Sequence, residues 1–221
     1  MKNIEVNKKK LMMLKDKAIF SPLDGQNGYV FPVGNKIFKI EKIATNDIIY
    51  HETVNYHLKN SNTFYLLQKL GDLQPNIKLS KFPISTLTYS GNYFGNVQLN
   101  FLNYSKMRDL INNHEISLEF LRKHLLETLE IVKELGEYEI EYCDLHPSNL
   151  LFDGNETILI DFDDPDRVKF TENALKVNYS RMYVYILYYL KSIRLKALDY
   201  QNLKDFIENI EVDSIKNGMI K

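Results

Sequence analysis

Two short stretches of the sequence gather the residue types that handle protons and hard cations. The first runs Tyr142-Cys143-Asp144-Leu145-His146-Pro147-Ser148-Asn149-Leu150-Leu151-Phe152, the second Ile158-Leu159-Ile160-Asp161-Phe162-Asp163. A carboxylate can accept or orient a proton, and carboxylate and carboxamide oxygens are the ligands that a cation such as magnesium prefers. Taken singly, Asp144, His146 and Asn149 are also ordinary turn formers, and Asp161 with Asp163 and Asp164 is an ordinary solvated acidic loop. Upstream, Lys39 stands between Phe38 and Ile40 on a stretch that reads as a buried strand. An unpaired ammonium is costly to desolvate, so Lys39 needs a partner.

These side chains must be positioned by the elements around them. Leu118 to Leu135 carries apolar residues at Leu118, Leu121, Leu125, Leu129 and Val132, the three-and-four spacing of an amphipathic helix, with Gly136 expected as its C-cap. Two strand signals follow, Asn149 to Phe152 and Thr157 to Ile160, around the turn Asp153-Gly154-Asn155. Before them, Ile19 to Lys42 reads as a hairpin of two or three strands, punctuated by Gly25, Gly28, Pro32 and Val33-Gly34-Asn35. Asp47 to Lys59 has a helical rhythm with Asp47 as N-cap, and a second short helix is expected around Thr63 to Leu70. Ile77 to Leu102 returns to strand character, with Gly91-Asn92 as a hairpin turn, while Thr171 to Leu198 and Gln201 to Ile210 are helical in pattern. Sheet first and helices second, without repeat or low-complexity linker, predicts an α+β fold in two parts, residues 1–102 and 103–221.

In this order and at this spacing, the sequence resembles the protein-kinase superfamily from about Ile19 to Asp166. The first stretch is similar to its catalytic loop, D-x-x-x-x-N, and the second to its metal-binding D-F-G motif. The resemblance implies a two-lobed fold, with an antiparallel-sheet N-lobe and a mainly helical, truncated C-lobe. It implies an ATP-dependent phosphotransferase moving the γ-phosphate to a hydroxyl. Asp144 would meet the acceptor hydroxyl, and Asn149 would share magnesium with Asp161. Gly25-Gln26-Asn27-Gly28-Tyr29-Val30 looks like a shortened glycine-rich loop, Lys39 would lie on the α and β phosphates, and Glu52 on the following helix would be its partner, with Glu41 a competitor of poorer reach. Val97 to Asn103 falls where the family's hinge meets adenine, which implicates Phe101 to Asn103.

Several positions depart from the family pattern. Cys143 stands where regulated kinases carry an arginine that reads activation-loop phosphorylation, so constitutive or partner-driven activity is implied. His146 replaces the lysine of Ser/Thr kinases, and Asp144-Leu145-His146-Pro147 is similar to the aminoglycoside and choline kinase branch. This histidine would either touch the γ-phosphate or brace the loop. Asp163 replaces the glycine of D-F-G, as a further metal or loop ligand. No A-P-E motif follows, the tyrosine-rich stretch Met182 to Leu190 is expected to pack beneath the catalytic loop, and no aspartate is evident at the start of that helix to brace it. A chain this small, without an acceptor-binding insertion, fits a Ser or Thr of a protein as acceptor. A small-molecule acceptor is the alternative, and an ATP-sensing or partner-binding pseudokinase scaffold the second.

Composition narrows the remaining classes. Over 221 residues the hydrophobic fraction of 44% and charged fraction of 26% are those of a folded globular chain. A formal net charge of -1 supplies no field for nucleic acid or an anionic membrane. The single Cys143 rules out an internal disulfide and cysteine-rich zinc frameworks, and suits a reducing compartment. The apolar stretch near the N-terminus is cut by Lys15, Asp16 and Lys17, and no apolar run approaches the roughly 18 residues that span a bilayer, so a cytoplasmic protein is expected.

Overall fold

The computed structural model describes residues 1–19, 23–24, 28–41, 54–101, 103–113 and 117–192. The chain is α+β and forms two compact units, each assembled from separated segments. The first comprises Met1–Asn76, Phe82–Phe101 and Phe162–Pro165; the second comprises Ile77–Lys81, Leu102–Asp161 and Asp166–Lys221. The glycine-rich stretch at Gly25, the Asp47 cap, Glu52 and the segment Gln201 to Ile210 lie outside the described residues.

The first unit is built on a six-stranded mixed sheet of order β1-β5-β6-β4-β3-β2. Its strands are β1 (Lys2–Glu5), β2 (Leu23–Asp24), β3 (Gly28–Val33), β4 (Lys36–Glu41), β5 (Ser85–Tyr89) and β6 (Asn92–Leu99). Strands β3 and β4 form the expected hairpin around Gly34, whose φ of 61° supplies the left-handed turn residue. Strands β5 and β6 form the second hairpin, turning through Ser90 and Gly91. Two elements were not anticipated. β1 pairs in parallel with β5, and helix α1 (Lys8–Ile19) follows it with Leu11 and Leu14 buried, so the Lys8-Lys9-Lys10 run is the exposed start of a helix. The side chains of Val6, Leu11, Leu14, Phe31, Ile40, Leu87, Phe94 and Val97 make one apolar cluster. Burial contributes about 1.5–3 kcal/mol for each large member, before the conformational entropy that opposes it.

Helix α2 (Val54–Leu73) corrects the expectation of two short helices with a break near Ser61. Ser and Asn are only modestly poor helix formers, and the apolar side chains of Leu66, Leu67 and Leu70, all buried, outweigh that preference.

The second unit packs helix α4 (Leu118–Glu137) against α5 (Ala174–Ser192), with a short α3 (Met107–Asn112) and two small sheets. One sheet is β10 (Thr157–Leu159), β9 (Leu150–Phe152) and β7 (Ser105–Lys106); the other pairs β8 (Ile140–Tyr142) with β11 (Val168–Phe170). Ser117 caps α4, its Oγ accepting the Phe120 N–H at 3.1 Å. Gly136 is not the C-cap. It lies inside the helix, Tyr138 is the C-cap, and Glu139 takes the left-handed conformation at φ 58°. What Gly136 supplies is room: a Cβ there would sit 2.6–2.9 Å from Leu175 atoms of α5. Asp153 closes the β9–β10 turn, accepting the N–H groups of Asn155 and Glu156 at 2.8 and 2.9 Å. These hydrogen bonds hold its carboxyl below the usual range. Among the described residues no helix is long and apolar enough to cross a membrane.

Candidate functional site

In the first unit the ladder sets Lys39. It lies opposite Val30 on one side and Asn96 on the other, and the backbone of β6 approaches closely there because residue 95 is glycine. A Cβ on Gly95 would fall 2.4 Å from the Lys39 carbonyl oxygen. Lys39 Nζ donates to Asp163 Oδ1 at 2.7 Å, and Asn96 Nδ2 donates to Asp163 Oδ2 at 2.7 Å. The Asp163 side chain is 4% exposed and that of Lys39 is 17% exposed. Asp163 is delivered by Phe162, which is fully buried and meets Phe82 edge to face at 4.7 Å. Asp163, one of the residues read as a metal ligand, thus has each carboxylate oxygen bonded within this unit, to Lys39 and Asn96. Of the other positions read as nucleotide contacts, Val30 is half-buried within β3, Gly28 begins that strand, and Phe101 is half-buried just beyond β6.

In the second unit three segments converge on Asp144. Strand β8 leads into it, and β9 begins six residues later, after a loop that folds back through Pro147. Asn149 is buried, and its Nδ2 donates to the Asp144 carbonyl at 3.1 Å, to Asp144 Oδ2 at 3.1 Å and to the Tyr142 hydroxyl at 3.0 Å. With its amide nitrogen so committed, the Asn149 carboxamide oxygen is the end left for another ligand. The Tyr142 hydroxyl in turn donates to the carbonyls of Ile160 at 2.9 Å and Asp161 at 3.4 Å, and the Ile160 N–H bonds the Asn149 carbonyl at 3.0 Å. One phenol therefore joins the two stretches that the sequence keeps apart.

Asp161 itself has φ 71°. This is a left-handed conformation that a residue with a Cβ rarely takes, and strain of this kind, about 1–3 kcal/mol, concentrates at functional positions. His146 bonds within its own loop. Its Nδ1 accepts the Ser148 N–H at 3.2 Å, its carbonyl accepts the Asn149 N–H at 3.0 Å, and its Nε2 lies 3.5 Å from Asp144 Oδ2. Asn103, at the other end of the unit's sequence, is exposed.

Two residues that organise this loop escaped the sequence reading. Asn178 of α5, fully buried, accepts the Tyr142 N–H on Oδ1 at 2.9 Å, and its Nδ2 donates to the carbonyls of Ile140 at 2.9 Å and Val132 at 3.2 Å. It braces β8 from the helix where an aspartate was looked for. Arg167 is the second. Its carbonyl accepts the Cys143 N–H at 2.8 Å, and its Nη1 donates to Asp144 Oδ1. Cys143 is a quiet neighbour: burial, and then the Glu141 carboxylate that its thiol bonds at 3.1 Å, push the thiol upward and away from the thiolate.

Among the described residues no group of three or more His, Cys, Asp or Glu side chains is gathered to hold a metal ion. An arrangement of one carboxylate and one carboxamide is a different kind of site. Magnesium keeps several waters and is commonly held by one or two protein oxygens together with substrate phosphates. No protein-family model and no curated protein matches the sequence.

Proposed function

We propose that the chain is an ATP-dependent phosphotransferase with a protein-kinase-like fold, moving the γ-phosphate to a Ser or Thr hydroxyl of a protein. The observation that carries this reading is the bonded set Asp144, Asn149, Tyr142 and the Asp161 backbone. A pair of turn formers and a solvated acidic loop give no reason for a buried carboxamide to tie the catalytic-loop carboxylate to a strained aspartate turn.

In this reading Asp144 orients the acceptor hydroxyl and takes its proton as the oxygen attacks the γ-phosphorus and the bond to the β-phosphate oxygen breaks. Lys39 meets the α and β phosphates, held in place by Asp163. Asn149 Oδ1 and Asp161 are the oxygens that suit magnesium, which neutralises phosphate charge when bound. His146 keeps the loop in shape, which favours the bracing role over contact with the γ-phosphate. Glu52 and Gly25, outside the described residues, retain the roles that the resemblance gives them.

The test is magnesium-dependent ATP turnover and radiolabel transfer to a generic protein acceptor by the wild type, Asp144→Ala and Asp161→Ala. Loss of transfer by about 10²-fold or more in both variants is the expected result. Transfer that survives either substitution, or no ATP binding by the wild type, would overturn the reading.

A further inference from the structure

The ammonium assigned to the nucleotide phosphates stands in a polar row on a sheet whose other face is apolar. Lys39, Asn96, Thr86 and Asn3 lie opposite one another across β4, β6, β5 and β1, so they share one face. On the other face the same strands carry Phe38 against Val97, and Ile40 and Leu87 on either side of Gly95. These four side chains lie in the apolar cluster or pack against it. Asn96 and Thr86 are nonetheless completely buried. Well-packed apolar side chains are often as stabilising as a buried polar network, or more so. Stability alone therefore gives little reason for a carboxamide beside Lys39.

The bonding of that carboxamide supplies one. Asn96 Nδ2 donates to Asp163 Oδ2 at 2.7 Å and to the Tyr93 hydroxyl at 3.2 Å, while its Oδ1 accepts Gln98 Nε2 at 3.1 Å. Turned over, the group would set its oxygen against the carboxylate and its hydrogens against the Gln98 amide, so one orientation alone satisfies all three neighbours. Asp163 Oδ1 in turn takes Lys39 Nζ at 2.7 Å. A neutral donor thus fixes the plane of a carboxylate, and the carboxylate fixes an ammonium at the end of a flexible four-carbon stem. Asparagine suits the position because it adds a charge-assisted hydrogen bond without a second charge to desolvate. Aspartate there would bring two carboxylates together, and leucine would leave Asp163 Oδ2 without this donor. The Thr86 hydroxyl, by contrast, is spent on Asn3 Oδ1 at 3.1 Å and Gln68 Nε2 at 3.0 Å, at a different part of the row.

We infer that Asn96 is a positioning residue for the nucleotide: acting through Asp163, it holds the Lys39 ammonium where the α and β phosphates meet it. The inference rests on the phosphotransferase reading for the phosphates, and the place of the ammonium is measured separately. The full chain is compared as wild type, Asn96→Leu, Asn96→Ser and Thr86→Val. Magnesium-ATP affinity is read by calorimetric titration, stability by urea denaturation, and Lys39 by the nitrogen resonance of its ammonium in isotopically labelled lysine, identified by its absence from Lys39→Arg. Leucine keeps the size of the side chain, whereas serine keeps a polar group too short to reach Asp163, so the pair serves if one of them does not fold. Both Asn96 variants are expected to weaken nucleotide binding about tenfold, the worth of one charge-assisted hydrogen bond, and to shift the Lys39 resonance. Thr86→Val, which removes a buried hydroxyl from the same row, lowers stability and leaves affinity and resonance unchanged. Unchanged affinity in the Asn96 variants, an unmoved Lys39 resonance, or an equal loss of affinity in Thr86→Val overturns the inference. If the wild type binds no magnesium-ATP, the phosphotransferase reading falls and the phosphates with it, whereas a resonance displaced only in the Asn96 variants leaves Asn96 standing as the residue that positions the ammonium.

Discussion

His124 makes the stability of the second unit depend on pH in a way that can be calculated before it is measured. The imidazole is completely buried on α4, with Nδ1 2.9 Å from Thr157 Oγ1 and Nε2 2.7 Å from the Tyr185 hydroxyl. Both hydroxyls can satisfy a neutral ring, and no carboxylate is among these partners, so burial pushes the histidine down to about 3. In the unfolded chain it titrates near 6.5. The unfolded state therefore binds the proton first as pH falls. The stabilisation is complete above about 6.5 and is lost progressively between there and about 3. Between pH 7 and pH 5 the unfolded histidine takes up most of a proton and the folded one almost none, which amounts to about 2 kcal/mol of lost stability. Urea denaturation of the wild type and His124→Gln at both pH values isolates this contribution, because carboxylates common to the two proteins cancel in the difference. The advantage of the wild type over the variant should shrink by about 2 kcal/mol at pH 5. Parallel pH profiles, or a His124 ring resonance that titrates with a midpoint near 6.5 in the folded protein, would refute the reasoning.

Other substitutions test the remaining supports. Asn178→Ala strips the buried Tyr142 N–H and two carbonyls of their partner and should cost about 2–4 kcal/mol, read by urea denaturation, while Asn178→Asp restores only the bond to Tyr142. Gly136→Ala drives a methyl group into Leu175 and should cost about 1–3 kcal/mol, with Leu175→Ala in the same chain recovering part of it. Asp163→Ala removes the carboxylate shared by Lys39 and Asn96 and should cost about 3 kcal/mol; the double variant Lys39→Met, Asp163→Leu should recover stability in the same assay without recovering ATP turnover.

Local signals carried much of this architecture. Helix α4 was legible because its apolar spacing is regular, and the β9–β10 hairpin because Asp153-Gly154-Asn155 is turn chemistry that any context would respect. The residues that could do chemistry were legible as types and spacing, and their bonding to one another was not. Lys39 demanded a partner on energetic grounds, yet Asp163 lies 124 residues away, and no local rule reaches that far. Asn178 was invisible for a related reason: an asparagine on a tyrosine-rich helix looks like a surface residue until three backbone groups are found to need it. His124 likewise interrupts an apolar stripe as though it faced water. Gly136 was read by habit as a cap, when close packing of two helices explains it.

The division of the chain between its units also constrains the order in which the protein can be made. Four residues, Phe162–Pro165, belong to the first unit although the chain on either side of them belongs to the second. During synthesis the sheet of the first unit is complete in sequence at Leu99, but Asp163 has not yet been added, so a nascent chain at that stage presents Lys39 and Asn96 without it. A fragment ending near residue 102 therefore holds the whole sheet but lacks one of the segments from which the first unit is assembled. Lys39 thus takes its described carboxylate partner only after the Asp144 loop has been translated, so a product truncated near residue 102 keeps the ammonium and lacks the carboxylate that it bonds in the finished protein.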